Sequence, residues 1–445
     1  MSLSAPARGR RLRPLRQAHV GRPAPFRITG PAYTAALAGW AGAALLLLLA
    51  APALADGNVS GERAVAAAHL VGVVFFPFAV AAAVWQLLPV MLRTDPALPQ
   101  ARWAALVLIA AGAPLAWGVA GDRSAVVGVS AALLAAGLVL LLAELASLVR
   151  RAPRGKVLVV SRPAVALAGL HAALAFTLGA VVFSSDGPEP LGVPYERLLL
   201  VHLLLALIGW LTVMIAAVGR TLVPMLGLAA AAPRRSVPAA ELTVVGGLWL
   251  LVAGIAASLE PLAAAGVVVV LAGLAAPAWL FARVALQGKP GRREGPIAHV
   301  VVGLVFVAEA AVVALLALAG VGDLRRATIA GVVLVGLGWA AGVVVGHLGK
   351  LISLSGWGSW PPGPRPRQAE LYPRRAWLVE AGVFAVGVQL LALGILAGAE
   401  NIARSGAALL LCSTVLAGWS AGETIRRIVT GRPGQPSSSR PSESA

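Results

Sequence analysis

Five of the six histidines in this 445-residue chain fall inside long apolar stretches. They are His69, His171, His202, His299 and His347. A neutral imidazole is the commonest metal ligand in proteins, and a helix can supply one as an axial ligand of haem iron. Ionisable side chains inside a bilayer are costly and usually face a partner or a cavity. These histidines are therefore candidate ligands of haem or copper, with a simple hydrogen bond to a neighbouring helix as the alternative.

The depth of each histidine can be estimated from the 1.5 Å rise per residue of a helix. His69 and His202 each lie about five residues inside the outer end of their apolar stretch, at a depth of about 8 Å. His299 and His347 lie near inner ends, and His171 lies about 12 Å from the inner side. The sequence thus predicts His69 and His202 as an outer ligand pair and the other three as weaker candidates.

A few other ionisable residues lie in or beside the apolar stretches. Glu309 falls near the predicted midplane, which favours a proton-relay group or the partner of a buried histidine. Arg220 and Lys350 lie at inner helix ends, where they suit an anchoring role or pairing with an anion such as a haem propionate or a lipid phosphate. Glu144 and Glu380 lie close to the inner surface and are expected to be interfacial.

The elements that carry these residues must be membrane helices. Apolar residues make up 59% of the chain and charged residues 12%, with a mean hydropathy of +0.86, whereas soluble domains carry about 25% charged residues. Only helices satisfy their own backbone in lipid without closing a barrel, which predicts an all-α fold. The net charge of +18 forms no basic patch with interleaved aromatics, which argues against a nucleic-acid partner. The single cysteine, Cys412, excludes an intramolecular disulfide.

Twelve apolar runs are long enough to cross a bilayer. The predicted spans are 31–55, 64–92, 101–121, 124–149, 163–184, 197–225, 240–260, 262–287, 297–320, 327–352, 376–399 and 405–425. They give a basic arm at 1–30, one membrane domain at 31–427 and a Pro/Ser-rich tail at 428–445, which we expect to be disordered. The first run ends in Ala51–Ala55, which is similar to a signal-peptidase site, but the arm before it is long, so an uncleaved first helix is expected.

The distribution of lysine and arginine between the loops determines the orientation of membrane helices. With the N-terminus inside, 30 of the 36 basic residues fall in inner segments and six in outer loops. This asymmetry predicts a protein of the inner (plasma) membrane with both termini in the cytoplasm, and the lipid bilayer as its first partner.

The second, sixth and tenth spans end in similar ways. Pro89 and Pro224 are 135 residues apart, and Ser353 follows 129 residues later. The sixth and tenth spans also share an upstream Gly-Trp pair, at 209–210 and 338–339. The spacing predicts three four-helix repeats at about 31–150, 163–287 and 297–425, with chance recurrence in an apolar chain as the alternative.

The second span carries an Ala-His at 68–69, the aromatic run Phe75-Phe76-Pro77 and the ending Trp85–Met91. This combination resembles the second helix of the haem–copper oxidase catalytic subunit. The tenth-span ending Gly346–Ile352 is similar to oxidase-like bacterial membrane proteins and to NnrS-type haem- and copper-containing proteins. The resemblance implies twelve helices in three arcs, ligands on the second, sixth and tenth helices, and His69 as an axial ligand of a low-spin haem. The cofactors expected are haem b, copper or both.

The chain departs from the oxidase pattern at the ligands of the oxygen-reducing centre. His202 is not followed by the oxidase run of Pro, Glu, Val and Tyr, the seventh span has no histidine, and 331–345 has none either. We therefore expect an oxidase-like protein without oxidase turnover, active in electron transfer, nitric-oxide or metal handling beside a copper enzyme or another membrane subunit. The alternatives are a secondary transporter, although Leu92–Pro96 lacks the major-facilitator loop motif, and a non-catalytic subunit whose 50 glycines favour close helix packing.

Overall fold

The computed structural model describes residues 21–95, 99–152, 162–184, 189–227, 237–287, 294–360 and 364–431. Within these ranges the chain forms helices and no strand, and twelve helices are long and apolar enough to cross a membrane. They are α1 (Phe26–Ala55), α2 (Glu62–Met91), α3 (Ala101–Ala120), α4 (Ser124–Arg151), α5 (Pro163–Ser184), α6 (Tyr195–Gly227), α7 (Ala239–Ala256), α8 (Glu260–Gln287), α9 (Gly295–Leu318), α10 (Leu324–Gly358), α11 (Arg374–Ala397) and α12 (Glu400–Thr430). We call the side where α1 begins the inner side.

The all-α membrane fold predicted from the sequence is confirmed, and each predicted span corresponds to one of the twelve helices. The ends differ most at α1 and α12. Helix α1 begins at Phe26, inside the predicted arm, and α12 continues to Thr430, beyond the predicted end of the domain. The last turns of α12 persist because Glu423 pairs with both Arg426 and Arg427 on the helix surface. The remainder of the arm, 1–20, and of the tail, 432–445, lies outside the described residues.

The same packing pattern recurs in each block of four helices. The third and fourth helices form hairpins (α3–α4, α7–α8 and α11–α12), and the fourth helix of a block packs on the first helix of the next (α4–α5, α8–α9 and α12–α1). These contacts close a ring. Helix α10 contacts both α2 and α6, and the Phe76 ring of α2 lies 6.4 Å from the Trp210 ring of α6. The pattern favours the predicted three-unit organisation, which stays a prediction.

Helices α2, α6 and α10 each contain a π-helical segment. The segments are Leu70–Phe75, Leu205–Thr212 and Val333–Ala341. They begin 19, 19 and 20 residues before Pro89, Pro224 and Ser353, the positions that the sequence repeat aligns. π-Helical turns are rare and frequently mark functional sites. The three segments lie in α2, α6 and α10, which contact one another, so the side chains beside these segments are candidates for a functional site.

Buried hydrogen bonds tie α1, α2 and α10 together. The Tyr33 hydroxyl donates to Gln86 Oε1, and Gln86 Nε2 donates to the Leu351 carbonyl at 2.9 Å. The Thr29 and Ser355 hydroxyls lie 2.6 Å apart. Because lipid offers helices no hydrophobic drive to associate, such polar contacts and close packing supply the specificity of helix pairing.

Candidate functional site

His69 and His202 occupy equivalent positions in their helices. Each is the eighth residue of a helix that starts at the outer side, counted from Glu62 in α2 and from Tyr195 in α6. The equal count places both about 10 Å along the helix from its outer end. Each also stands beside a π-helical segment, directly before Leu70 in α2 and three residues before Leu205 in α6.

The hydrogen bonds of the two rings define their tautomers. His69 Nδ1 lies 2.9 Å from the Val65 carbonyl oxygen, and His202 Nδ1 lies 2.7 Å from that of Ala175. A carbonyl oxygen only accepts, so in the neutral rings Nδ1 carries the proton and donates it. The lone pair of each ring is therefore on Nε2. This arrangement is typical of histidine ligands, whose second nitrogen is held by a carbonyl or carboxylate.

Both rings are only partly exposed, and they belong to adjoining helices, since the Phe76 ring of α2 lies 6.4 Å from the Trp210 ring of α6. The His202 ring packs against Gly179 of α5, where a Cβ would lie 2.8 Å from Cε1. One turn beyond His69, a Cβ on Gly72 would meet no atom within 4 Å. We call His69 and His202 the outer pair. Their Nε2 lone pairs lie at one depth, the His202 ring is held by its contact with Gly179, and the space at Gly72 is open.

Two neutral imidazoles are a donor set that both haem iron and copper accept, so His69 and His202 are the residues that would hold either group. Within the described part of the chain, no group of three or more His, Cys, Asp or Glu side chains is arranged to hold a metal. Both Nδ1 contacts would restrain ring rotation, and they leave Nε2 as the donor atom toward the cofactor.

His299 and His347 form a second group near the inner side, which we call the inner pair. His299 Nε2 lies 2.7 Å from Glu380 Oε2, and the Ser413 hydroxyl donates to Glu380 Oε1 at 2.7 Å. His347 donates through Nδ1 to the Val343 carbonyl at 2.6 Å, and the preceding Gly346 lies against His299, where a Cβ would be 2.5 Å from the His299 Cβ. The structure thus separates the histidines into an outer and an inner pair.

His171 belongs to neither pair. Its Nδ1 donates to the Leu167 carbonyl at 2.7 Å, and its ring centroid lies 5.9 Å from that of Trp249. The ring packs against Gly209 of α6, where a Cβ would lie 2.7 Å from Cδ2. Among the described residues, the contacts of His171 are thus with an aromatic ring and backbone rather than with another histidine.

The expectation that Glu144 and Glu380 are interfacial is wrong. Both are fully buried inside the protein, 3% and 0% exposed. Glu144 Oε1 accepts from Nε and Nη2 of Arg102, at 2.9 and 2.7 Å, and Glu380 contacts His299 and Ser413. The estimate failed because depth along a helix does not say which way a side chain points. Both carboxylates point into the helix bundle, where partners on neighbouring helices offset the cost of desolvation.

Arg220 and Lys350 are each paired with a carboxylate. Arg220 Nη2 lies 2.6 Å from Glu241 Oε1 of α7, and both side chains are buried. Lys350 Nζ lies 2.7 Å from Glu294 Oε2 and 4.9 Å from the centroid of the Tyr372 ring. Both basic residues stand at inner ends, as the sequence predicts. Glu241 comes from α7 and Glu294 from the segment directly before α9, and neither partner was identified from the sequence.

Glu309 lies in the outer half of α9 and is paired with Gln389 of α11. With the Gln389 amide nitrogen turned toward the carboxylate, it donates to Oε1 and Oε2 at 3.1 and 2.9 Å. Both side chains are partly exposed. The partner of Glu309 in the structure is thus an amide, where the sequence had suggested a proton relay or a histidine.

The fold defines a multi-pass α-helical membrane protein. Comparison with protein-family models and with curated proteins finds no significant match. The resemblance to haem–copper oxidases therefore stays a prediction that depends on the chain's own residues.

Proposed function

We propose that this chain is an oxidase-like membrane protein that binds haem b, copper or both at the outer pair, without an oxygen-reducing site. The observation that carries the proposal is the outer pair itself: His69 and His202 are each the eighth residue of two adjoining helices, each with Nδ1 held by a carbonyl and Nε2 left as an acceptor. A cofactor bound there would supply one-electron chemistry. The role is then electron transfer, nitric-oxide handling or metal handling.

The residues around the outer pair suit holding a cofactor rather than turning over oxygen. The carbonyls of Val65 and Ala175 orient the imidazoles, and the Gly179 contact restrains the His202 ring. The seventh span and residues 331–345 carry no histidine, where the oxidase pattern has ligands of the oxygen-reducing centre. With His69 and His202 both bound to one haem, the group would supply electron transfer rather than oxygen binding.

We place the protein in the inner (plasma) membrane with both termini in the cytoplasm. The support is the 30-to-6 distribution of basic residues between inner and outer segments. A copper enzyme or another membrane subunit is the expected partner, because a bound redox group needs a donor and an acceptor of electrons. Reporter tags on the two ends should both face the cytoplasm.

The alternative is a secondary transporter, which the Glu309–Gln389 pair favours. A partly exposed carboxylate in the outer half of a membrane helix, held by one amide, is the kind of group that ion coupling uses. Substrate-dependent uptake into liposomes that is lost in Glu309→Gln would support this alternative. Uptake that is absent, or that does not change with the substitution, would rule out the transporter alternative.

The test of the proposal is an absorption spectrum with metal analysis on protein purified from haem- and copper-replete cells. We expect a Soret band, stoichiometric copper or both, lost in His69→Ala and in His202→Ala. The matched control is His171→Ala, which removes a membrane histidine outside both pairs and should keep the cofactor. A colourless, metal-free protein, or a cofactor retained in both outer-pair variants, would overturn the proposal.

A further inference from the structure

Glu309 and Gln389 place a polar pair deep in the membrane. Glu309 lies nine residues before Leu318, the last residue of α9, and Gln389 lies eight residues before Ala397, the last residue of α11. Both residues are therefore about 12–14 Å below the outer helix ends. The hydrocarbon core of a bilayer is about 30 Å thick, so the pair lies well inside it. Both side chains are nevertheless partly exposed.

The exposed side of the pair faces away from the bundle. The inward sides of α9 and α11 carry Phe306 and Phe384, which are buried against α10. A Cβ on Gly338 of α10 would lie 2.6 Å from the Phe306 ring, and a Cβ on Gly342 would lie 2.8 Å from the Phe384 ring. The outward sides carry rows of exposed apolar residues, which are Val301, Val305 and Val312 on α9 and Val379, Val386 and Leu393 on α11. The polar pair stands beside these two rows, where the helices meet.

Lipid cannot satisfy the hydrogen-bonding groups that the pair leaves over. With its amide nitrogen turned toward the carboxyl, Gln389 donates to the two Glu309 oxygens at 2.9 and 3.1 Å. That contact requires one of the two amide N–H groups and does not involve the amide oxygen. The second N–H and the oxygen are then left for a further partner. A polar group that lacks a partner is costly in hydrocarbon, which favours a protein partner at this face.

An amide at this position is complementary to itself. The N–H and the oxygen of one primary amide can pair with the oxygen and the N–H of another, which gives two reciprocal hydrogen bonds. A two-fold axis parallel to the membrane normal keeps every residue at its own depth, so Gln389 of one copy would meet Gln389 of a second copy. Ala385, one turn before Gln389 and partly exposed, lets a second helix approach closely.

We propose that α9 and α11 form the face through which two copies of this chain associate in the membrane. The Gln389 amides of the two copies pair across the two-fold axis, and each amide keeps its contact with Glu309 of its own copy. The exposed apolar rows of α9 and α11 pack around this central polar contact. The outer pair belongs to α2 and α6, so the association does not depend on a cofactor.

The experiment measures association of the full chain in lipid bilayers, by single-molecule subunit counting at a series of protein-to-lipid ratios. We expect dimers in the unmodified protein. Gln389→Met keeps the length of the side chain but removes the amide, and should weaken association about 10- to 100-fold, because two interhelical hydrogen bonds are lost. The matched control is Thr177→Val, which removes an exposed hydroxyl of α5 that bonds within its own helix and should leave association unchanged.

Crosslinking identifies the face that the two copies share. In a Cys412→Ser background, which removes the single cysteine, Val386→Cys places a thiol one turn from Gln389 on the proposed face. A short thiol-specific crosslinker should join two copies through this position. Val139→Cys is the control, because Val139 is 63% exposed but belongs to α4. It should give no crosslinked dimer.

Three results would overturn the proposal. The first is a protein that stays monomeric at every protein-to-lipid ratio. The second is a dimer that Gln389→Met leaves unchanged, or that crosslinks through position 139 rather than 386. The third is a different subunit that crosslinks to position 386 in native membranes while two copies of this chain do not, which would make that subunit the occupant of the face.

Discussion

The ion pair between Arg102 and Glu144 offers a direct test of how the membrane domain is packed. Arg102 at the start of α3 donates to Glu144 of α4 through Nε and Nη2, and both side chains are buried, at 2% and 4% exposed. The guanidinium also lies 5.8 Å from the Trp85 ring of α2. The pair therefore joins three helices of the first block.

Replacing one partner of the pair should lower the free energy of unfolding, whereas replacing both should leave it nearly unchanged. Arg102→Met leaves the Glu144 carboxylate buried without its counter-charge, which costs about 3–5 kcal/mol for a buried pair. The double variant Arg102→Met, Glu144→Leu removes both charges and fills similar volume. Such replacements are often neutral or stabilising, so the double variant should recover most of the loss.

The assay is reversible unfolding of the purified protein in mixed detergent micelles, with the single and double variants in parallel. The control is the exposed pair Glu400–Arg404, at 49% and 51% exposed, where Arg404→Met should cost at most about 1 kcal/mol. If Arg102→Met costs no more than Arg404→Met, Glu144 reaches water after all, and its burial in the structure is refuted.

Two glycine contacts give further predictions. Gly346→Ala places a Cβ 2.5 Å from the Cβ of His299, and should destabilise the fold by about 1–3 kcal/mol, whereas Gly382→Ala meets no atom within 4 Å and should not; equal unfolding midpoints for the two variants would contradict this. Gly179→Ala places a Cβ 2.8 Å from His202 Cε1 and should displace that ring, so the cofactor content should fall while the protein stays folded. An unchanged cofactor content would show that His202 is not a ligand.

The helices could be predicted from the sequence because lipid imposes a strong and simple requirement. A run of about 20 apolar residues must be a helix, and basic residues mark its inner end. All twelve helices appear where apolar runs predict them. The equal depth of His69 and His202 could also be predicted, since each is the eighth residue of its helix, whereas their role as a ligand pair stays a prediction.

The partners of the buried charges could not be predicted in the same way. Glu380 contacts His299 across 81 residues of sequence, and Arg102 contacts Glu144 across 42. In a soluble helix the polar face points to water, so periodicity tells which residues are buried. A membrane helix faces apolar surroundings on both sides, so periodicity gives little indication of which carboxylate points inward. Helix-to-helix contacts must be known first.

The most direct test of the outer-pair site is a count of its imidazole ligands. Pulsed electron paramagnetic resonance on protein with ¹⁵N-labelled histidine, in the oxidised state, detects each imidazole nitrogen bound to haem iron or copper. We predict two ligating imidazoles, one assigned to His69 and one to His202 by the loss of its coupling in the alanine variant. A single coupled imidazole, none, or couplings that survive both substitutions would contradict the proposal that these two residues form one cofactor site.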